Sequence, residues 1–380
     1  MTGEINPKRS FYSCLFFFVC AGMVYGQFTA RIPAIKTHAG IDDAQLGLML
    51  LVFGIGSIAG FLLAPLLLRH IISRIMLAGA SLVLIGGLIA IALAPNAVWL
   101  GASMCIFGFA TAIFDVCMNV QGMLVEGVMH RSRMATLHAC YSLGGFLGSV
   151  TGSAFAFASL GILTNYVVVS LILGLFTLLC ARNLLPDVAA RESRKAGGSI
   201  PFFIIFCGLM ALGAFIAEGS SAEWGGLFLQ NVKGADAGTA ALCFGALAAP
   251  MALARLGEDQ LREKFGDFLL LLAGSVLAFS GLGIALFSPE PWICLAGFAL
   301  LGLGLSPIMP VVISRAGSHG SMSAGSASAL VSLLGYGGLL VVPPSLGWIA
   351  QHFGLEAALL LPLAVCGLLI CGSFRFRQGM

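Results

Sequence analysis

The stretch FDVCMNVQGMLVE, residues 114–126, sets Asp115, Asn119 and Glu126 into an otherwise apolar run. At 100° per residue these three and Gly122 fall within about 60° of one another, as one polar stripe on a helix whose other faces suit lipid. An ionisable group at such depth costs about 2.5–3.5 kcal/mol on the insertion scale, so the stripe must look toward protein or water. Asp115 is therefore a candidate for taking up and releasing a proton at physiological pH, against the plainer reading of a carboxyl hydrogen-bonded to a neighbouring helix. Asn119 reads either as a donor to a hydroxyl-bearing solute or as glue between helices. Glu126 sits at the predicted helix end, where the dipole disfavours an anion. It is expected to pair with Arg131 or Arg133 as a cytoplasmic latch.

The rest of the chain supports that membrane reading. Of its 380 residues, 59% are hydrophobic and 9% charged, with a mean hydropathy of +1.02. A soluble domain carries roughly 25% charged residues. The N-terminal apolar run leads into further spans without a small-residue cleavage site, so no signal peptide is expected. The net charge of +3 implies no nucleic-acid partner, since the charges lie at span ends. Eleven scattered cysteines show no C-x-x-C spacing and read as small packing residues rather than metal ligands. The sequence has no P-loop and no catalytic constellation, so neither ATP-driven work nor an enzyme is expected, and no cofactor.

Apolar runs between polar or Gly/Pro breaks predict twelve spans, near 10–33, 44–68, 75–94, 97–125, 137–158, 162–181, 201–222, 236–255, 267–288, 291–314, 323–349 and 355–374. The fold class expected is all-α membrane protein, with twelve transmembrane helices in two pseudo-symmetric six-helix bundles. The predicted domains are 1–181, a linker at 182–200, and 201–380. With both termini cytoplasmic, sixteen of the nineteen Lys and Arg fall on the cytoplasmic side, leaving Arg31, Lys36 and Lys233 opposite. The location expected is a bacterial inner membrane, for a monomer.

The halves also echo each other. CAGMVYGQFTAR (20–31) lies on CGLMALGAFIAE (207–218) with five of twelve positions identical, and LAGASLVLIGGLIA (77–90) resembles LAGSVLAFSGLGIA (272–285). Two repeats related by an axis normal to the membrane predict a solute path between them near the midplane. In that register Arg31 falls on Glu218, both expected near the outer ends of their helices. Arg31 with Glu218, and with Glu223 nearby, is the predicted outer gate or clamp, and Glu218 is a second candidate for proton coupling. His138 and Tyr141 share a face in the fifth span, and Tyr25 and Gln27 lie in the first. With Tyr336 in SLLGYGG and Trp224 beyond the seventh span, they are the remaining cavity candidates. Gly144, Gly148 and Gly152 form overlapping G-x-x-x-G patterns that let helices approach closely.

Twelve spans, two halves and a basic central loop resemble the major facilitator superfamily over the whole chain. Its loop motif G-x-x-x-D-[RK]-x-G-[RK]-[RK] is echoed by ARLGEDQLREKFG (254–266), which keeps Arg255, Asp259, Arg262 and Gly266. The first copy, LLLRHIISR (66–74), keeps Arg69 and Arg74 but lacks the acid. That resemblance assigns Arg255 and Asp259 to gating. DVCMN (115–119) is similar to the E-x-x-x-N element of fucose:proton symporters. The similarity implies that Asp115 carries the proton and Asn119 supplies the amide for a small polar, sugar-like solute. AEGSSAEWGGLFL (217–229) and SALVSLLGYGGLLVVPPSLGWIA (328–350) resemble a bacterial inner-membrane branch near those symporters. The expectation is a proton-coupled secondary transporter. Its rivals are a drug or metabolite exporter of the same fold and a transport-inactive sensor.

Overall fold

The computed structural model describes residues 6–131, 133–186, 201–319 and 324–378. The chain divides into two compact units, Met1–Glu192 and Ser193–Met380.

In the first unit, α1 (Pro7–Ala30) starts where the Asn6 side chain accepts from the Lys8 and Arg9 amides, with Pro7 in the first turn. A short α2 (Ile32–Ala39) follows. α3 (Asp43–Leu67) opens with a capping box between Asp42 and Gln45. α4 (Ser73–Ala92), α5 (Ala97–Met129, capped by Asn96), α6 (Met134–Phe157) and α7 (Ile162–Ala181) complete six spans.

In the second unit α8 (Phe202–Asn231) is followed by α9 (Ala237–Ala241) and α10 (Cys243–Phe287), which Gly266 at φ 73° divides into two spans. A left-handed φ of this kind is free of strain only for glycine. α11 (Pro291–Leu305) and α12 (Ile308–Ser318) form one interrupted span. α13 (Ala324–Tyr336) and α14 (Gly338–Ser373) make two more, because Gly354 breaks α14 at φ 87°. Ten of the described helical stretches are long and apolar enough to cross a bilayer. The last of them holds two spans and α6 adds another, giving twelve.

Where the predicted ends and the helices differ, the cause is local chemistry. α5 runs past 125 to Met129 and stops at His130 in the left-handed region. α8 continues nine residues past the predicted 222, because EWGGLFLQN holds no proline and packs as helix. Glu223 and Trp224 therefore lie inside the seventh span. Of the predicted linker, 187–200 lie outside the described residues. Leu184 and Leu185, which precede them, are buried against the first unit.

α1, α3 and α5 meet around Phe28, Phe53 and Phe107, whose ring centroids lie 5.4–6.2 Å apart. Such contacts add to the area buried. α1 and α6 pack backbone to backbone. A Cβ at Gly144 would stand 2.2 Å from the Val19 carbonyl oxygen, and one at Gly148 2.3 Å from that of Met23. The G-x-x-x-G reading of α6 thus describes its contact with α1.

Gly144→Ala should lower the stability of the purified protein by about 1–3 kcal/mol through overpacking. Gly86→Ala, where a Cβ meets open space, should be neutral or slightly stabilising. Thermal unfolding in detergent reads both, and equal effects would show that the α1–α6 seam is not tight.

At the start of α9, the Asp236 carboxylate accepts from the Thr239 hydroxyl at 2.6 Å and from the Gly238 and Thr239 amides. The hydroxyl bond and the amides hold this exposed carboxyl below its ordinary range. A group depressed in the folded state stabilises above its unfolded value and loses that contribution as the pH falls. Acidification below about pH 4 should therefore loosen this helix start. Amide exchange at Ala240 should accelerate there, and Asp236→Ala should flatten the response.

Candidate functional site

On α5 the predicted stripe takes physical form. The Asn119 side-chain amide donates to the Asp115 backbone carbonyl at 2.8 Å and reaches its carboxylate at 3.4 Å. Back-bonding to the i−4 carbonyl holds the amide against the acid, so the two side chains act as one polar unit four residues apart. Both are half-buried, which leaves lone pairs of the carboxylate for another donor.

Glu126 lies on the same stripe and is held by the backbone of the segment where its expected arginine partners lie. Its carboxylate accepts from the backbone amides of Arg133 and, at 2.8 Å, Met134. Those amides open α6, so an anion here meets the positive end of a helix dipole. The α5–α6 turn is fastened by that contact. The Arg133 guanidinium lies 5.3 Å from the centroid of the Phe11 ring.

Gln27 is fully buried. Its amide nitrogen donates to the Thr151 hydroxyl, and its amide oxygen accepts from Asn165 at 2.9 Å. The Tyr166 hydroxyl donates to the Gln27 carbonyl at 3.3 Å. The structure thus places Gln27 in a polar knot of α1, α6 and α7, with both ends of its amide in use. Nothing local in the sequence announces this, because the partners stand 124 and 138 residues away. A similar knot closes the other end of the unit. Gln121 donates to Ser73 Oγ at 2.7 Å and the Leu185 carbonyl at 2.9 Å, and accepts from the Leu185 amide at 2.9 Å.

Arg31 ends α1 and is 6% exposed. Its guanidinium donates to the carbonyls of Leu160, at 2.9 Å, and Gly152, at 3.5 Å. These lie at the negative end of α6, a favourable place for a cation. Glu218 stands elsewhere along its own helix. It is thirteen residues before the end of α8, about 20 Å at 1.5 Å per residue. The expected place near the end of its helix holds for Arg31 and not for Glu218. Arg255 of α10, in the same unit, lies within electrostatic reach of Glu218. The Asp259 side chain lies outside those described.

The acid that organises the 254–267 region is Asp267. It holds Arg262 at 2.5 Å and the Arg315 guanidinium as well, while Arg262 also reaches Ser314 at 3.1 Å. A charged residue directly after a helix-breaking glycine was the available signal. Of the remaining aromatic candidates, Tyr25, Tyr141 and Tyr336 are half-buried, Trp224 is fully buried and His138 is exposed. His138 meets Phe18 edge-on at 5.3 Å, Tyr25 lies near Phe28, and Tyr336 stacks on Phe215 at 4.8 Å. No group of three His, Cys, Asp or Glu that could hold a metal occurs among the described residues.

Residues 14–338 match the family model of the Major Facilitator Superfamily. The chain is 32% identical over 355 residues to an uncharacterized MFS-type transporter of Yersinia pestis, covering 91% of this chain and 92% of that one. It is also 32% identical over 380 residues to the membrane protein MosC of Rhizobium meliloti, covering 98% and 92%. Two solved folds are similar. One is a bacterial homologue of the lysosomal transporter Spinster, with TM-score 0.75, 16% identity and coverage of 99% and 98%. The other is the nucleoside transporter NupG, with TM-score 0.68, 14% identity and coverage of 96% and 98%. The chain belongs to the Major Facilitator Superfamily. It is a multi-pass membrane transporter of small molecules, not an enzyme, and its fold is that of secondary transport by alternating access.

If Gln27 is a structural tie, Gln27→Leu should strand Thr151 and Asn165 at a cost of about 1–3 kcal/mol. A fall in thermal stability with unchanged substrate affinity is the expected pair of readings. Weakened affinity at unchanged stability would return Gln27 to the solute path.

Proposed function

We propose that the chain is a proton-coupled carrier of a small polar, sugar-like solute in the bacterial inner membrane, with both termini cytoplasmic. The observation that carries this reading is the acid–amide couple on α5, Asp115 with Asn119 held against it. A half-buried carboxyl in a spanning helix gains from shedding its charge while facing lipid-like surroundings and from regaining it when water or a donor arrives. A solute hydroxyl donating to the carboxylate, with the Asn119 amide close by, ties that charge state to occupancy. Protonation then sets which states of the carrier are favoured, by the difference in affinity between them.

Tyr25, Tyr141, His138 and Tyr336 are proposed as further solute contacts, offering aromatic faces with polar tips. Arg31, Glu126 and Glu223 remain with gating. Glu218, within electrostatic reach of Arg255, is assigned with that arginine to a gate in the second unit. The orientation is supported by the sixteen-to-three partition of basic residues. The exposed Trp99 and Trp292, in the first turns of α5 and α11, suit an interfacial aromatic belt at the outer face. Among fold neighbours, NupG is named as a transporter of nucleosides, which are polar solutes of similar size.

A thermal-shift screen of the purified protein against sugars and carboxylates at two pH values identifies a working solute. In liposomes, Asp115→Asn should then abolish accumulation driven by a pH gradient while leaving exchange of labelled for unlabelled solute intact. Accumulation that still follows the gradient in that variant would overturn the reading.

A further inference from the structure

The most polar buried turn of the second unit is Ser220–Trp224 of α8. Glu223 is 5% exposed and Trp224 0%. The Ser220 and Ser221 hydroxyls and the Trp224 indole nitrogen are buried without a hydrogen-bond partner. Among the described residues, no hydrogen bond or ion pair reaches the Glu223 carboxyl.

Among the described residues, no charged group on the elements packed against α8 forms a hydrogen bond or ion pair with the Glu223 carboxyl; these groups include the buried Glu258 of α10. Asp236 at the head of α9 is exposed and capped by Thr239. On α10, Cys243 donates to the Ser221 carbonyl and Arg255 acts on Glu218, the other acid of α8. Also on α10, Asp267 is bound by Arg262 and by Arg315 of α12, and Cys294 of α11 donates to the Ser288 carbonyl. Tyr336 of α13 stacks on Phe215, His352 of α14 bonds the Trp348 carbonyl, and Glu356 faces Lys233.

An ionised carboxylate in this position would stand uncompensated, the costliest way to bury a polar group. A cationic ligand would need room beside it, whereas a proton needs none. Protonation removes the charge and converts one oxygen into a donor. We propose that Glu223 is a proton-binding site of the second unit, separate from Asp115 in the first. The carboxylate takes one proton from water and later returns it to water, with only an O–H bond formed and broken. The carrier then holds two exchangeable protons, one in each unit. This site stands whether or not Asp115 couples protons to the solute.

Infrared difference spectra of the full-length protein in lipid nanodiscs test the proposal through the carbonyl stretch of a neutral carboxylic acid. At neutral pH that band should be present, should shift in heavy water, should disappear in its Glu223 part in Glu223→Gln, and should persist in Asp115→Asn. If Glu223→Gln fails to insert, Glu223→Asp should instead move the band and the pH at which it titrates. A Glu223 that gives only the ionised carboxylate signal at neutral pH overturns the proposal. So does a neutral-acid band indifferent to both Glu223 variants, or one that never exchanges with heavy water. Loss of the band in Asp115→Asn alone would place the proton at Asp115 and leave Glu223 without one.

Discussion

Lipid offers no hydrogen bonds, so every polar atom inside a span must be answered by the protein or answered intermittently by what the protein carries. The two classes separate in this molecule. Gln27 and Gln121 have both ends of their amides bonded, to partners on other helices or on the chain leaving α7. They are ties, and their work is finished once the bundle has formed. Asp115 is only partly answered, by one amide four residues away, and Glu223 is not answered among the described residues. Unfinished polar groups cost stability, and a folded chain retains them where another state, or another partner, completes them.

The same rule acts differently in the two halves. The first unit closes its interior with neutral amides and hydroxyls, including the Ser81–Thr177 pair at 3.0 Å. The second adds to a neutral pair, Ser275 with Ser373 at 3.3 Å, a charged tie in which Asp267 is shared by two arginines. The neutral ties of the first unit need no charge compensation and tolerate full burial. The charged tie of the second lies closer to water, where the pair Arg262 and Arg315 remain 27% and 36% exposed on Asp267. An ion pair at a span end keeps part of its hydration and avoids the penalty of complete burial.

The architecture was largely legible in the sequence because a bilayer imposes a length on every span, which apolar runs report directly. The stripe of Asp115, Asn119 and Glu126 was legible for the same reason, since a charge among apolar residues needs an explanation. What could not be read was the partner. Gln27 looked like a cavity lining because its donors and acceptors lie on α6 and α7. That Glu126 caps the backbone amides opening α6 could not be read either, because backbone amides carry no signature in a sequence. The alignment of Arg31 with Glu218 followed identity between repeats, which does not show that α1 stops at Arg31, with α2 opening at Ile32, while α8 continues to Asn231. Asp267 escaped because the family motif points at Asp259.

The α1–α6 seam bears on how such a unit can move. With glycines at 22, 26, 144 and 148 bringing one backbone onto the carbonyls of the other, no flexible side chain lies between the helices to absorb a shift. Gln27 then pins α1 to α6 and α7 through bonds that a slide of one residue would break. Packed interiors of this kind have discrete arrangements rather than a continuum. Internal rearrangement of these three helices is therefore costly, and the unit is built to turn as one body. Asp115 rides on α5, which meets α1 and α3 through the Phe28, Phe53 and Phe107 rings, so the body that turns carries the acid with it. A group whose surroundings change because its whole bundle changes exposure needs no hinge of its own. In the proposed carrier, its charge state and the orientation of the bundle would be one equilibrium, as coupling between proton and solute requires.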